Sequence, residues 1–155
     1  MKKIFLIILL ILLLMLPNLY NIFLVPTTEI NGYEVKGNLS NESAIAEVVA
    51  VIENNIQATN EENIDLYVST LVPSARVETQ REMQQVFDEF DIRIVLESIE
   101  VLEQTNDMVK LRVQQRATSD DETYRDHVAT VGITLIYENE EWLIVESMME
   151  NTEFI

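Results

Sequence analysis

The chain has 155 residues, enough for one domain with short extensions, and its 27 acidic and 10 basic residues give a net charge of −17. Almost all of the acidic residues follow Asn38, and such a field repels phosphates, so nucleic acid and anionic lipid surfaces are excluded as expected partners. The chain contains no cysteine, which excludes disulfides, thiolate metal sites and a lipid-modified N-terminal cysteine.

The N-terminal segment is hydrophobic. After the basic start Met1-Lys2-Lys3, residues 4–25 are mostly apolar and are long enough to span a membrane as a helix. The lysines favour a cytoplasmic N-terminus, with the rest of the chain outside. We therefore expect residues 1–26 to be a single-pass anchor in a bacterial cell membrane. Cleavage as a signal peptide, followed by secretion, is the alternative, although Leu24-Val25-Pro26 is a poor cleavage site.

Residues 27–39 contain Gly32 and Gly37 and show no sustained hydrophobic period. We interpret this segment as a linker between the membrane and the domain, because glycine and polar residues without a period are typical of connecting segments. The extracytoplasmic domain is then expected to cover residues 40–155.

Three amphipathic helices are expected next, because apolar residues recur at spacings of three and four. The first covers Glu42–Ala58. The second covers Thr59–Leu71, opens with a capping box in its first four residues and is ended by Pro73. A similar box begins the third stripe, Thr79–Phe90.

Four strands are expected in the second half of the domain, because apolar and polar residues alternate there. The alternation slips between Leu96 and Ile99, which indicates a bulge. In the last strand, simple alternation places Met148 on the same face as Trp142. The four expected strands are Ile92–Glu103, Val109–Ala117, His127–Tyr137 and Trp142–Met149.

Over residues 40–155 the chain resembles the nuclear transport factor 2-like (NTF2-like) superfamily, which includes ketosteroid isomerases and SnoaL-like polyketide cyclases. The matching features are the helix pair Ile45–Ala58 and Thr59–Leu71 and the closing sequence Glu141-Trp142-Leu143-Ile144-Val145, which is similar to the family's Trp-x-Ile. The short strand usual between the second and third helices is not visible at Pro73–Glu78. The resemblance and the element order imply an α+β fold, with three helices on a curved antiparallel four-stranded meander behind an N-terminal hydrophobic helix. It also implies a pocket for a small apolar ligand.

The candidate ligand-binding residues are polar side chains at otherwise apolar positions: Tyr67, Gln115, His127 and Glu146. A His–Glu pair would be a plausible general base. If Asn139-Glu140 forms the last turn, however, Glu146 faces Ile133, which is about 20 Å along the strand from His127. We therefore expect no such pair, assign no catalytic residue, and expect His127 to lie near Gln115.

We expect no metal or cofactor. One histidine and no cysteine leave only carboxylates as ligands, and Asp120-Asp121-Glu122 lacks the spaced ligands and glycine of a calcium loop. The chain has neither a glycine-rich phosphate loop nor a nucleophile elbow.

Three functions remain open on this basis. The leading one is a non-catalytic, extracytoplasmic binding or interaction module, whose partner is a protein, a second copy of the chain or a small apolar molecule. The second is a pocket enzyme of the isomerase or cyclase type that uses Glu146 or His127 as its base. The third is an assembly subunit of an envelope complex, because an NTF2-like domain outside a single anchor also resembles VirB8-type secretion components.

Overall fold

The computed structural model describes residues 25–155, and the expected anchor at residues 4–25 lies outside this part except for Val25. The domain has an α+β fold in which three helices accompany one six-stranded sheet with the strand order β1-β2-β3-β4-β5-β6. The helices are α1 (Glu42–Asn60), α2 (Ile64–Ser69) and α3 (Pro73–Glu89). The strands are β1 (Thr27–Ile30), β2 (Tyr33–Lys36), β3 (Ile92–Gln104), β4 (Met108–Ser119), β5 (His127–Glu138) and β6 (Glu141–Phe154).

The expectation of four strands was wrong, because the segment interpreted as a linker forms the hairpin β1–β2. Asn31 and Gly32 both have positive φ, at 52° and 85°, and connect the two short strands. Asn-Gly is the preferred sequence for such a two-residue turn, because both positions need a left-handed backbone. β2 then pairs in parallel with β3, so the hairpin extends the sheet.

Gly37 allows the hairpin to approach β3 closely. Its φ is 130°, and a Cβ atom there would lie 2.5 Å from the carbonyl oxygen of Val101. A side chain at this position would therefore have to displace the backbone of one of the two segments. By contrast, a Cβ at Gly32 would have no neighbour within 4 Å.

Several helix boundaries differ from the expected ones. α1 continues to Asn60, and the Thr59 hydroxyl donates to the carbonyl of Asn55 instead of capping a new helix. Asn63 caps α2 by accepting from the amide of Leu66. α2 ends at Ser69, and Pro73 occupies the first turn of α3, where its missing N–H costs nothing. α3 therefore begins before the expected Thr79, which lies inside the helix.

The strands of the meander pair antiparallel, and the bulge expected in β3 lies between Leu96 and Ser98. β6 has two irregularities that the simple alternation missed, one between Ile144 and Glu146 and one between Met149 and Asn151. Each extra residue changes which face the following side chains occupy. As a result, Met149 rather than Met148 lies on the inner face that Ile144 shares.

The core lies between α1 and the inner face of the sheet. Its most deeply buried side chains come from one stripe of α1 and from the inward positions of the strands, as their periodicities predict. The largest of them are Ile45, Ile52, Ile99, Leu111 and Leu135. No helix within residues 25–155 is both long enough and apolar enough to span a membrane.

The substitution Gly37→Ala tests the close approach of the hairpin to β3. We expect it to lower the free energy of unfolding by about 2 kcal/mol or more, because backbone strain and the clash with Val101 act together. The matched variant Gly32→Ala introduces only the strain of a left-handed alanine, about 1 kcal/mol. Chemical denaturation of both variants measures the difference, and equal losses would contradict the close contact.

Candidate functional site

A cavity of about 370 Å³ lies between the helices and the inner face of β3–β6. None of the described residues that line it is Asp, Glu, Lys or Arg. Most of the wall is aliphatic, and amide, hydroxyl, phenol and imidazole groups supply its polar atoms. The lining residues are Asn55, Ile56, Thr59, Tyr67, Leu71, Met83, Ile92, Ile94, Gln115, Ala117, Tyr124, His127, Ala129, Val131, Ile133, Ile144, Ser147 and Met149.

Tyr67, one of the four predicted residues, lies on the helical wall. α2 is only six residues long, and it holds the phenol between α1 and α3. The ring of Phe87 meets the Tyr67 ring edge-on, with 6.3 Å between centroids. Burial raises the pKa of the Tyr67 phenol, and a hydrogen bond to the Asn55 side chain opposes part of that shift.

Gln115 and His127 lie on the sheet wall, and their expected proximity is confirmed by the register of β4 and β5. Gln115 is opposite Ala129, and His127 is opposite Ala117, so the two polar residues occupy diagonal positions on one face. Within the described part of the chain, the Gln115 amide has no side-chain hydrogen bond and is available to a ligand.

The imidazole of His127 is oriented by the backbone. Its Nδ1 donates to the carbonyl of Arg125 at 2.9 Å, which leaves Nε2 of the neutral ring as an acceptor. The ring also lies between Tyr124 and Phe154, at centroid distances of 5.8 and 6.1 Å. A carbonyl partner fixes the tautomer but supplies no negative charge, unlike the carboxylate that orients a typical catalytic histidine.

Glu146, the fourth predicted residue, does not line the cavity. It is opposite Thr134 on the outer face of β5 and β6, next to a separate shallow depression that Met148 and Glu150 also line. The expectation that Glu146 and His127 do not form a pair is therefore confirmed. The register differs by one residue from the expected one, because Val145 is bulged.

Four polar lining residues were missed by the sequence analysis: Asn55, Thr59, Tyr124 and Ser147. Thr59 was interpreted only as a helix cap. Asn55 lies beside the apolar stripe of α1, and its amide donates to the hydroxyl of Thr70 at 2.8 Å. Tyr124 belongs to the β4–β5 loop, which has no periodicity to indicate its direction. Ser147 turns inward only because β6 is bulged before it.

The raised pKa of Tyr67 predicts a loss of stability at alkaline pH. The folded protein keeps this proton at pH values where the unfolded chain has lost it, so the free energy of unfolding decreases as pH rises above the ordinary value of 10.0. We expect Tyr67→Phe to decrease less steeply over the same range. Denaturant unfolding between pH 8 and pH 11 measures both slopes, and identical slopes would show that Tyr67 is not shifted.

The comparisons with known proteins agree with this geometry. The family model described as "Anti-sigma-I factor RsgI9, C-terminal domain" matches residues 50–155. The chain belongs to this family. No curated protein matches the chain in sequence.

Solved structures confirm the NTF2-like fold for the RsgI9 C-terminal family member described here. A protein of unknown function with a cystatin-like fold from Nostoc punctiforme has a TM-score of 0.63 and 11% identity, over 70% of this chain and 91% of its own. An NTF2-like protein of unknown function from Pseudomonas putida has a TM-score of 0.63 and 10% identity, over 70% and 87%. A proposed aromatic ring hydroxylase from Novosphingobium aromaticivorans has a TM-score of 0.66 and 9% identity, over 76% and 96%. At these identities the similarity shows the fold alone.

Proposed function

We propose that this domain is a non-catalytic binding module, held outside a bacterial membrane, whose cavity takes a small uncharged ligand. The observation that carries the proposal is the chemistry of the cavity wall, which combines a large aliphatic surface with a few neutral polar groups and no described charged side chain. Ligand sites of this kind are mostly apolar, and a few polar groups set the orientation of the ligand.

The wall favours an uncharged ligand for an energetic reason. A charged group that leaves water without a counter-charge or several hydrogen bonds loses far more solvation free energy than the cavity returns. An apolar ligand instead gains about 25 cal/mol for each Å² that it buries. Gln115, the Nε2 atom of His127 and Tyr67 can then bind one or two hydroxyl or carbonyl groups on such a ligand.

The same geometry supports a binding module better than an isomerase or cyclase. Proton transfer in such an enzyme needs a base next to the substrate and a group that stabilises its charged form. Glu146 lies on the outer face, and His127 is oriented by a carbonyl. Among the described lining residues, His127 is the one that could still act as a base, and the enzyme alternative therefore depends on His127.

The family description favours a regulatory role for the binding event. An anti-sigma factor links a signal to transcription, and the matching family model is a C-terminal domain of such a factor. We propose that ligand binding in the cavity is the input of a regulatory protein. An envelope assembly subunit is the alternative that the fold also permits.

Filling the cavity tests the binding proposal. Ala129 is buried in the cavity wall, whereas the next residue, Thr130, faces the other side of β5. The full chain with phosphatidylcholine nanodiscs is photolabelled with a neutral alkyl diazirine, and the labelled residues are located by mass spectrometry. We expect labelling of cavity residues such as Met83 and Met149 in the wild type, and its loss in Ala129→Phe but not in Thr130→Phe.

Two results would contradict the proposal. Labelling spread evenly over the surface would show that the cavity does not take apolar molecules. Equal labelling of cavity residues in Ala129→Phe and the wild type would show that the probe binds elsewhere. Circular dichroism of both variants controls for folding.

The proposed location has a separate test, because the chain has no natural cysteine. Asn106 lies exposed in the β3–β4 turn, and Lys3 precedes the apolar segment. In intact bacterial cells a membrane-impermeant maleimide should label Asn106→Cys, whereas Lys3→Cys should react only after permeabilisation. Labelling of both variants only after permeabilisation would place the domain inside, and recovery of the domain without its first 26 residues would favour secretion.

A further inference from the structure

In the described part of the chain, the outer edge of β6 is open over most of its length. Near its start, the backbone of Ile144 bonds on this side with Thr70 and Val72. Beyond this point, within residues 25–155, no strand pairs with the outer edge of Val145–Phe154, although its other edge pairs with β5 except at the bulged residues Val145 and Glu150. We call this segment the free edge of β6. Unpaired edge amides and carbonyls are a template for another strand.

The free edge of β6 is also exposed on both faces. Met148 on the outer face is 58% exposed, and Met149 on the cavity side is 59% exposed. Val145 and Phe154 are exposed to a similar degree. Exposed apolar side chains on both faces of an unpaired strand are typical of an interaction surface, although the strand also carries charged residues, which are usual on edges that only face water.

The negative charge of β6 favours a positively charged partner. The strand carries four acidic residues and no basic one. Glu150 pairs with Arg112 at 2.7 Å, but Glu146 and Glu153 form no ion pair with any described residue. A second copy of the chain brings the same acidic strand and a net charge of −17, so self-pairing is opposed by like charges.

We infer that the free edge of β6 binds an extended cationic segment of another protein by strand addition. Basic side chains of that segment would lie on the outer face beside Glu146 and Glu153, and its apolar side chains would lie on the face of Met149. Backbone hydrogen bonds would supply affinity and the alternating side chains would supply specificity, as in other cases of strand addition. This inference does not depend on a ligand in the cavity.

The experiment uses the full chain with phosphatidylcholine nanodiscs and a fluorescent peptide with alternating lysine and valine, KVKVKVK, followed by fluorescence anisotropy. Only one alternating set of amides in a peptide strand faces the edge that it joins. Two further peptides are therefore N-methylated, one at the lysines and one at the valines. We expect binding of the parent peptide, loss of binding for one methylated peptide and retention for the other.

A second part of the experiment compares two double variants in which glutamates are replaced by lysines. The double variant E146K/E153K alters the free edge of β6, whereas E82K/E89K alters exposed positions of α3 and changes the net charge by the same amount. We expect the first to weaken peptide binding by about tenfold, because two opposite-charge neighbours become repulsive. The second should leave the affinity within about twofold.

Several results would overturn the inference. Equal effects of the two methylated peptides, or equal weakening by the two double variants, would show that the peptide responds only to the overall negative charge. Absence of binding by the parent peptide would show that the free edge of β6 does not accept a cationic strand. A concentration-dependent dimer that excludes the peptide and is lost in E146K/E153K would show that the partner is a second copy of the chain.

Discussion

The burial of the inner face of the sheet beneath α1 is the interaction on which the rest of the structure depends. Ile45, Val48, Val49 and Ile52 are almost completely inaccessible, as are the inward residues of β3–β5 that share their cluster. Each such side chain stabilises the fold by about 1.5–3 kcal/mol. Toward the start of β5 the inward side chains are smaller. Ala117 and Ala129 line the cavity, which opens there. The core and the candidate site are therefore two parts of the same face.

The outer face of the sheet is organised by charge instead. Arg112 bonds to Glu100 at 3.1 Å and to Glu150 at 2.7 Å, and Arg116 bonds to Glu97 at 2.7 Å. The hydrogen bond that Arg112 donates to Glu150, and then the one that it donates to Glu100, raise the pKa of Arg112. Because these groups face solvent, such pairs contribute little to stability and mainly align neighbouring strands. With the pair Lys110–Glu103 at 3.2 Å, they involve three of the five basic residues in the described strands, and the remaining acidic residues, including those of β6, carry the net charge.

Individual residues show which features of the site and the fold could be predicted from sequence patterns. Tyr67, Gln115 and His127 were identified because a polar residue on an apolar stripe or parity is unusual, and they do line the cavity. Glu146 was selected by the same criterion and lies outside, since the criterion assumes an uninterrupted alternation that β6 does not have. Thr59 matched a capping box, yet α1 passes through it because its hydroxyl bonds back to Asn55. Asn31-Gly32 is a sequence typical of a hairpin turn, but it was assigned to the expected linker, so the hairpin was not predicted.

Local sequence patterns were sufficient for the α+β class, the three helices, the long meander, its first bulge and the strongly acidic surface. These properties depend on contacts between near neighbours in the chain, which periodicity and composition report directly. The parallel pairing of β2 with β3, the shifted faces of β6 and the uncharged wall of the cavity required the tertiary structure. They arise where segments far apart in the sequence meet, and a single extra residue in one strand reverses the side on which all later side chains lie.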